Sequence, residues 1–489
     1  MNSQTSETIA ALATPPGEGG VAVVRVSGPL APEILGKMFQ GSFVGANLVF
    51  ARNGIHDGRT DPDGHRQGSP LQDFDSHRLY YGKILSPSGA LLDQGLAVWM
   101  KAPRSFTGEE VVELHLHGGP LIARKVLEAI FELGARPAKA GEFTERAFLN
   151  GKMDLTQAEA VADMIAAKSE RALRLAQSQW QGELSAPVGR LRASLLDLLV
   201  NLEAAVDFPE EDIEIIDRDG AGKLLQDSIR QIEAWISDYE TGRLIREGLS
   251  VVLLGKPNVG KSSLLNRLAK EEAAIVHSEP GTTRDAIERA FQLGGLTLKV
   301  VDTAGIREAR GEVERVGIER SKRWFEKADL VLALFDSSAP FTEEDRQVAG
   351  LASTKRAFFI LNKADLPPAW DPSPLLSFYI KDGMGQVLSL SAKTGAGIQD
   401  LEEALPSFFG LNALEKSDHL LLNQLRHKKA LQDARASLER AQEGLRKRLS
   451  PDLIAAELMA GSHHLGEIIG ELNTDQILEE IFSRFCIGK

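Results

Sequence analysis

At 489 residues, 43% of them hydrophobic, the chain is long enough for two to four ordinary domains of roughly 100–200 residues each. No apolar run is long enough to cross a bilayer, the start MNSQTSETIAALATPPG lacks the basic and apolar parts of a signal peptide, and the single cysteine, Cys486, excludes an intramolecular disulfide, so a cytoplasmic protein is expected. A net charge of −13 argues against broad nonspecific binding of nucleic acid, although it leaves room for a local basic patch.

Residues 1–150 read as mixed α and β. Gly20–Val26, Gly95–Met100 and Val111–His117 are strand-like, and Pro120–Leu133 reads as a helix. The polar stretch Asn53–His77 is expected to form a long surface loop. From Asp154 to Ala205 the pattern is helical. Asp154 and Gln157 stand at capping-box spacing. Leu225, Ile229, Ile232, Ile236 and Tyr239 step by four and three along one predicted helix face. The acidic turn Asp207–Asp212 between these helices shows no ordered ligand spacing and is read as solvated.

Residues 247–410 alternate strand and helix. Short apolar runs at Val251–Leu254, Leu298–Val301, Leu330–Phe335, Ala357–Leu361 and Val387–Leu390 predict a mostly parallel sheet covered on both faces. After Leu411 the chain turns helical again. Leu431, Ala434, Leu438, Ala441 and Leu445 form a stripe, Ser450-Pro451 starts a further helix, and Ile477, Leu478, Ile481 and Phe482 form a last apolar face. Helices before and after the α/β segment are expected to pack together, with that segment inserted between them.

The chemistry concentrates in the α/β segment. Gly255-Lys256-Pro257-Asn258-Val259-Gly260-Lys261-Ser262 joins a strand to a helix, as a phosphate-binding loop must. Its backbone N–H groups and the helix start can cradle phosphates, Lys261 can reach the β- and γ-phosphates, and Ser262, followed by Ser263, can bind Mg²⁺. Four further signals follow in order. In the loop Pro280-Gly281-Thr282-Thr283-Arg284-Asp285, which follows His277-Ser278-Glu279, Thr283 can complete the Mg²⁺ shell. In Asp302-Thr303-Ala304-Gly305, Asp302 can act on the Mg²⁺ side through water, and the Gly305 N–H can meet the γ-phosphate. In Asn362-Lys363-Ala364-Asp365, Asp365 can accept from the guanine N1–H and 2-amino group, which adenine cannot offer. Ser391-Ala392-Lys393 can meet the base from the other side. Together the five motifs resemble those of the translation-factor-related GTPases and select GTP over ATP.

Ile306 stands where a Ras-like protein has a water-orienting glutamine. Another group must position the attacking water, and Glu312 and Glu314 are the candidates. Another source of positive charge is also needed. A monovalent cation held by Asn258 competes for that role with Arg284, Arg307 or an arginine of a second subunit.

The flanking motifs narrow the resemblance. Ala13-Thr14-Pro15-Pro16-Gly17 with Gly19-Gly20, Ser105–Glu109, His117–Pro120, Gly141–Asn150 and the tail Cys486-Ile487-Gly488-Lys489 accompany the GTPase set from end to end. With them the chain resembles the MnmE (TrmE) family of tRNA-modification GTPases. The resemblance implies a multidomain α/β plus α protein: an α+β folate-binding and dimerising domain (1–150), a discontinuous helical domain (151–246 and 411–489) and an inserted Ras-like P-loop domain (247–410). It implies a homodimer whose GTPase domains approach each other during hydrolysis. It implies K⁺ in the arginine-finger position, held by Asn258 and by the loop of His277, Glu279 and Thr282, and it gives the water-orienting role to Glu314. The implied partner is MnmG (GidA), in a heterotetramer or larger complex, bringing FAD and NADH. With it the chain would install an aminomethyl or carboxymethylaminomethyl group on C5 of a tRNA wobble uridine, using 5-formyl- or methylene-tetrahydrofolate.

For the folate, the resemblance points to Arg25, Glu113, Lys152 and Lys489. Arg25 sits inside an apolar strand and needs a partner, either a folate carboxylate or a protein carboxylate such as Glu113. Glu113 could bind the pterin, and Cys486 could be a reactive thiol near the one-carbon unit or a partly buried tail residue. His277 replaces the hydroxyl residue that often begins the K⁺ loop. A regulatory switch GTPase of ribosome assembly is the rival function, and it would have no need of the folate motif and the CIGK tail together.

Overall fold

The computed structural model describes residues 7–43, 74–207, 218–271, 288–301, 324–372, 384–411, 421–471 and 475–489. Contacts divide the chain into two compact units, residues 1–162 with 469–489, and residues 163–468.

The first unit is built on a seven-stranded sheet of β1 (Ile9–Leu12), β2 (Gly19–Ser27), β3 (Phe39–Phe43), β4 (Leu79–Leu85), β5 (Leu91–Met100), β6 (Val111–Gly118) and β7 (Arg136–Pro137), in the order β3-β4-β5-β6-β2-β1-β7. Helices α1 (Ala31–Met38) and α2 (Pro120–Glu132) join one face of the sheet in a common core with Val24, Val26, Val112, Leu114 and Leu116. Alternate residues of β2 and β6 therefore point away from that core, which puts Arg25 opposite Glu113 in register on the other face. The predicted strand beginning at Gly95 in fact starts at Leu91. Gly95 sits within the strand because an added Cβ there would lie 2.1 Å from the His115 carbonyl oxygen on β6. The short strands β1, β3 and β4 carried no clear sequence pattern.

Helix α3 (Glu142–Leu149) and the first part of α4 (Leu155–Ala166) complete this unit together with the C-terminal helix, Asp475–Ser483. Leu478, Phe482 and Phe485 bury against Leu155 and Ala158. The capping box forms as spaced: Asp154 N–H donates to Gln157 Oε1 and Gln157 N–H to Asp154 Oδ1, each at 2.9 Å.

In the second unit, α5 (Glu170–Trp180), α6 (Ser185–Asp207), α7 (Arg218–Ser237) and α8 (Tyr239–Glu247) precede the α/β segment. The segment contains β8 (Leu249–Leu254), α9 (Lys261–Glu271), β9 (Glu288–Leu293), β10 (Leu296–Val301), β11 (Leu330–Asp336), α10 (Glu343–Ala352), β12 (Ala357–Asn362), β13 (Gly385–Ser389) and α11 (Ile398–Phe408). Helices α12 (Leu425–Arg446) and α13 (Pro451–Ile469) follow it; the C-terminal helix of the first unit is α14.

The expected stripe on α12 is buried throughout, from Leu431 to Leu445. On α7 the stripe shifts. Trp235 rather than Ile236 takes the buried position, and Tyr239 opens α8 instead of ending α7. Arg435 meets Glu233 on α7 at 3.6 Å and Lys428 meets Glu240 on α8 at 3.4 Å, so the α7–α8 segment runs antiparallel to α12. Asn423 Nδ2 donates to Asp163 Oδ2 and to Gln179 Oε1, each at 3.1 Å. Helical segments on either side of the α/β insertion thus close on one another, as the sequence predicted.

The second sheet has the order β13-β12-β11-β8-β10-β9, parallel except for β9, which the sequence pattern did not reveal because it is a half-polar edge strand. Separate apolar clusters cover its two faces, one around Leu253, Leu332 and Ile360 and the other around Val331, Ala333 and Phe359.

Candidate functional site: a GTP site and a tail-capped cleft

Parallel register brings the motif-bearing strand ends to one edge of the sheet. Leu254 pairs with Ala333, Asp336 with Asn362, and Leu361 with Ser389. Ligands of open α/β sheets bind at such carboxyl ends.

The phosphate loop leaves β8 at Gly255 and enters α9 at Lys261. Asn258 adopts φ +63°, and Gly260 adopts φ +100° where an added Cβ would lie 2.2 Å from Asn362 Nδ2. Only glycine tolerates that combination of backbone angle and close approach. Lys261 Nζ donates to the Gly255 carbonyl at 2.9 Å and to the Lys256 carbonyl at 2.7 Å. Its charge is thereby held over the loop, a placement suited to phosphate oxygens at the α9 N-terminus. Ser262 is exposed on the first turn of α9, a placement that suits a hydroxyl ligand of Mg²⁺. When bound, Mg²⁺ neutralises charge on the β- and γ-phosphate oxygens.

Asn362 is a strut rather than a base reader. It is 2% exposed, donates from Nδ2 to the Val259 carbonyl at 2.6 Å and accepts the Ala392 N–H at 3.0 Å. One side chain thus ties the phosphate loop to both base loops. Lys363, at φ +66°, places Nζ 2.5 Å from Asp336 Oδ2. Against the upward push of burial, Lys363 and Ser338 hold the Asp336 carboxyl below its usual range. Asp365 is exposed and accepts the Ser391 hydroxyl at 2.6 Å, the main reason its carboxyl also lies low. An ionised, pre-oriented acceptor is what the two donors of guanine require. Sequence reading missed Asp336, and also Arg267, which bonds the carbonyls of Ala392 and Lys393 and so fixes the last base loop. Neither belongs to a motif, so only the fold reveals them.

His277 to Thr283, Asp302 to Gly305 and Glu314 lie outside the described residues.

In the first unit, Arg25 Nε donates to Glu113 Oε1 at 2.8 Å, and its guanidinium lies 5.6 Å from the ring centres of both Phe106 and Phe143. The His115 imidazole, 3.6 Å away, and the Arg25 guanidinium hold the Glu113 carboxyl down at about 2 against its burial. Lys152 Nζ donates to the Pro103 carbonyl at 3.0 Å, and Asn150 Nδ2 to the Thr107 carbonyl at 2.7 Å, so the loop that carries Phe106 is clamped from the far end of α3.

The CIGK tail reaches this place. Ile487 bridges Ala140, and the Phe143 N–H donates to the Lys489 carbonyl at 3.2 Å. Gly488, at φ +98°, lies where an added Cβ would be 2.1 Å from the Leu12 carbonyl oxygen. Cys486 is exposed, not partly buried. Arg25, Glu113, Phe106 and the tail therefore converge, while Lys152 touches the same loop without contacting the Arg25–Glu113 pair. The Arg25–Glu113 pair and the two phenyl rings form a polar and aromatic wall compatible with a pterin.

The GEFTERAFLN and SFTGE motifs meet in a buried ion network that sequence reading did not foresee. Arg146, 4% exposed along its side chain, lies 3.0 Å from both Glu109 and Glu142. Arg136 reaches Glu142 at 2.6 Å and Glu7 at 2.5 Å. Their role here is architectural: they lock α3 to the loop before β6.

Two family models cover nearly all of the chain: the MnmE helical domain matches residues 155–486, and the GTP-binding protein TrmE N-terminus matches residues 8–152. The chain belongs to the MnmE family. It is 39% identical to the tRNA modification GTPase MnmE of Natranaerobius thermophilus over 99% of this chain and 100% of that protein. It is 42% identical to the MnmE of Heliobacterium modesticaldum over 99% of both. Among solved structures, the FeoB G-domain of Methanococcus jannaschii is 27% identical across 33% of this chain and 96% of that one, with a TM-score of 0.24. Like its MnmE relatives, the chain is a GTP hydrolase acting in tRNA modification, which uses GTP and Mg²⁺. Among the described residues no helix is long and apolar enough to cross a membrane.

Proposed function

We propose that this MnmE-family GTPase is stimulated by K⁺ and works with MnmG to modify C5 of the tRNA wobble uridine, drawing a one-carbon unit from a tetrahydrofolate in the first unit. The observation that supports the folate part is the docking of the CIGK tail on Ala140 and Phe143, whose ring lies against Arg25, because it joins motifs more than three hundred positions apart in sequence. A switch GTPase has no use for that arrangement.

In this reading Arg25 and Glu113 orient the pterin, Lys152 and Lys489 contribute positive charge, and Cys486 stands exposed beside the one-carbon unit. Asn258 and the loop from His277 to Thr282 hold K⁺, Thr283 joins Ser262 on Mg²⁺, and Glu314 orients the attacking water. The domains divide near residues 150, 246 and 410, the protein is a cytoplasmic homodimer, and FAD and NADH reside on the partner.

Two experiments test this. GTP turnover should be several-fold faster in K⁺ than in Na⁺; equal rates would remove the cation from the mechanism. Mass spectrometry of tRNA nucleosides from cells lacking the protein should show unmodified wobble uridines. Unchanged nucleosides would return the protein to the switch class.

A further inference from the structure

Lys256 is the second residue of the phosphate loop, and neither phosphate binding nor base recognition requires a lysine there. Its Nζ lies 2.6 Å from Asp345 Oδ2 and donates to Thr342 Oγ1 at 3.0 Å. Both partners are themselves fixed. Asp345 Oδ2 accepts the Thr342 N–H at 2.8 Å, one half of the capping box that opens α10, and also the Thr342 hydroxyl at 2.9 Å. The Asp345 side chain is 4% exposed and that of Lys256 19%, so this pair is shielded from the solvent that makes exposed ion pairs weak. The backbone of the same residue does a second job: the Lys256 carbonyl accepts from Lys261 Nζ at 2.7 Å. An unbroken chain of contacts therefore runs from the α10 cap, through the side chain and then the carbonyl of Lys256, to the ammonium that meets the phosphates.

We propose that Lys256 is a positioning residue for the nucleotide. It pins the phosphate loop to the rigid start of α10 and so fixes one of the two carbonyls that aim Lys261. The inference deepens the GTP-binding reading of the loop and rests on it. The effect is on bound phosphate in general, because the anchored carbonyl does not distinguish GDP from GTP. Loss of the anchor should weaken binding of both without altering the hydrolytic step.

The test uses the full chain with Lys256→Gln, Lys256→Arg, Asp345→Asn and the double variant Lys256→Gln/Asp345→Asn. Fluorescent-GDP Kd, GTP KM and kcat, and the nucleotide-free Tm are measured for each. In Lys256→Gln and Asp345→Asn, Kd and KM should rise together by about tenfold with kcat within about twofold. Lys256→Arg should restore most of the affinity, and the double variant should be no worse than the weaker single, as for two residues acting through one contact. A lowered Tm with unchanged Kd would assign the pair to stability alone and overturn the proposal. So would single effects that add in the double variant. Failure of the unmodified protein to bind GDP at all would instead strike the GTP reading itself.

Discussion

Gly488→Ala tests whether the tail is held on β1 and Phe143 in the first unit, and it does so without touching a charged or reactive side chain. The new Cβ would lie 2.1 Å from the Leu12 carbonyl oxygen, 2.9 Å from the Leu12 carbonyl carbon and 3.1 Å from Ala13 Cα. All three are backbone atoms of or just after β1, which is paired on both sides, so the tail must move and the sheet will not. Restoring a tolerable contact takes about 1 Å of displacement. Holding alanine at φ +98° costs about 1–2 kcal/mol, and losing the bond from Phe143 N–H to the Lys489 carbonyl costs about 1 kcal/mol more. Together, about 2–3 kcal/mol shifts the docking equilibrium by about 30- to 150-fold toward the released tail. Hydrogen exchange followed by mass spectrometry reads this directly. Peptides containing Phe143 and residues 482–489 should lose protection, and tRNA modification should fall, while GTP turnover stays within about twofold because it uses other residues. Unchanged protection at Phe143 would show that the tail does not depend on the close approach at Gly488, and the reasoning would fail.

Three further outcomes follow from the same geometry. Arg146→Met leaves Glu109 and Glu142 short of a buried partner and should cost about 3–5 kcal/mol of stability, read as a lower midpoint in chemical denaturation; a change below about 1 kcal/mol would show the network to be dispensable. Glu113 and Glu142 are each held at about 2, below the ordinary 4.5, Glu113 by His115 and Arg25, and Glu142 by Arg136 and Arg146 against its burial. A lowered folded-state pKa stabilises above the unfolded value. Each carboxylate therefore contributes up to about 3 kcal/mol above pH 4.5, lost as the pH falls toward 2. Glu113→Gln should flatten the stability-against-pH curve between pH 4.5 and 2, and an unaltered slope would refute that pairing. Asp365→Asn should relax guanine selectivity and admit xanthosine nucleotides, since Ser391 holds the carboxylate as an acceptor; unchanged discrimination would count against its role.

Much of the nucleotide site could be read in the linear chain because its motifs are local. A loop such as GKPNVGKS needs only neighbours along the backbone to turn between a strand and a helix, and the strand before it shows as an unbroken apolar run. The same holds for the capping box at Asp154 and the buried stripe on α12. Legibility stopped where partners came from elsewhere. Tyr239 fits the periodicity of α7 yet opens α8, and Trp235 displaced Ile236, because the helix packs on α12 and not on an idealised face. Edge strand β9 escaped notice because its sequence, Glu288-Arg289-Ala290-Phe291-Gln292-Leu293, mixes polar with apolar residues and so lacks an apolar run. Asp336, Arg267 and Asp345 carry no motif, since each acts by bonding a loop that is remote in sequence.

The sequence by itself determined the class of chemistry: ordered phosphate and base motifs, each at a strand end, specify GTP because residue type and spacing fix which atoms the loops present. It also carried the family, through motifs at both ends of the chain. Tertiary structure alone decided which of those residues act together. Parallel register in the second sheet aligned the strand ends so that Asn362 could tie three loops into one site, and antiparallel register in the first sheet set Arg25 across from Glu113. The close approach at Gly488 then seated the tail on β1 and on Phe143, whose ring lies against Arg25. Register and close approach are properties of packed backbones, and no window of the sequence contains both partners.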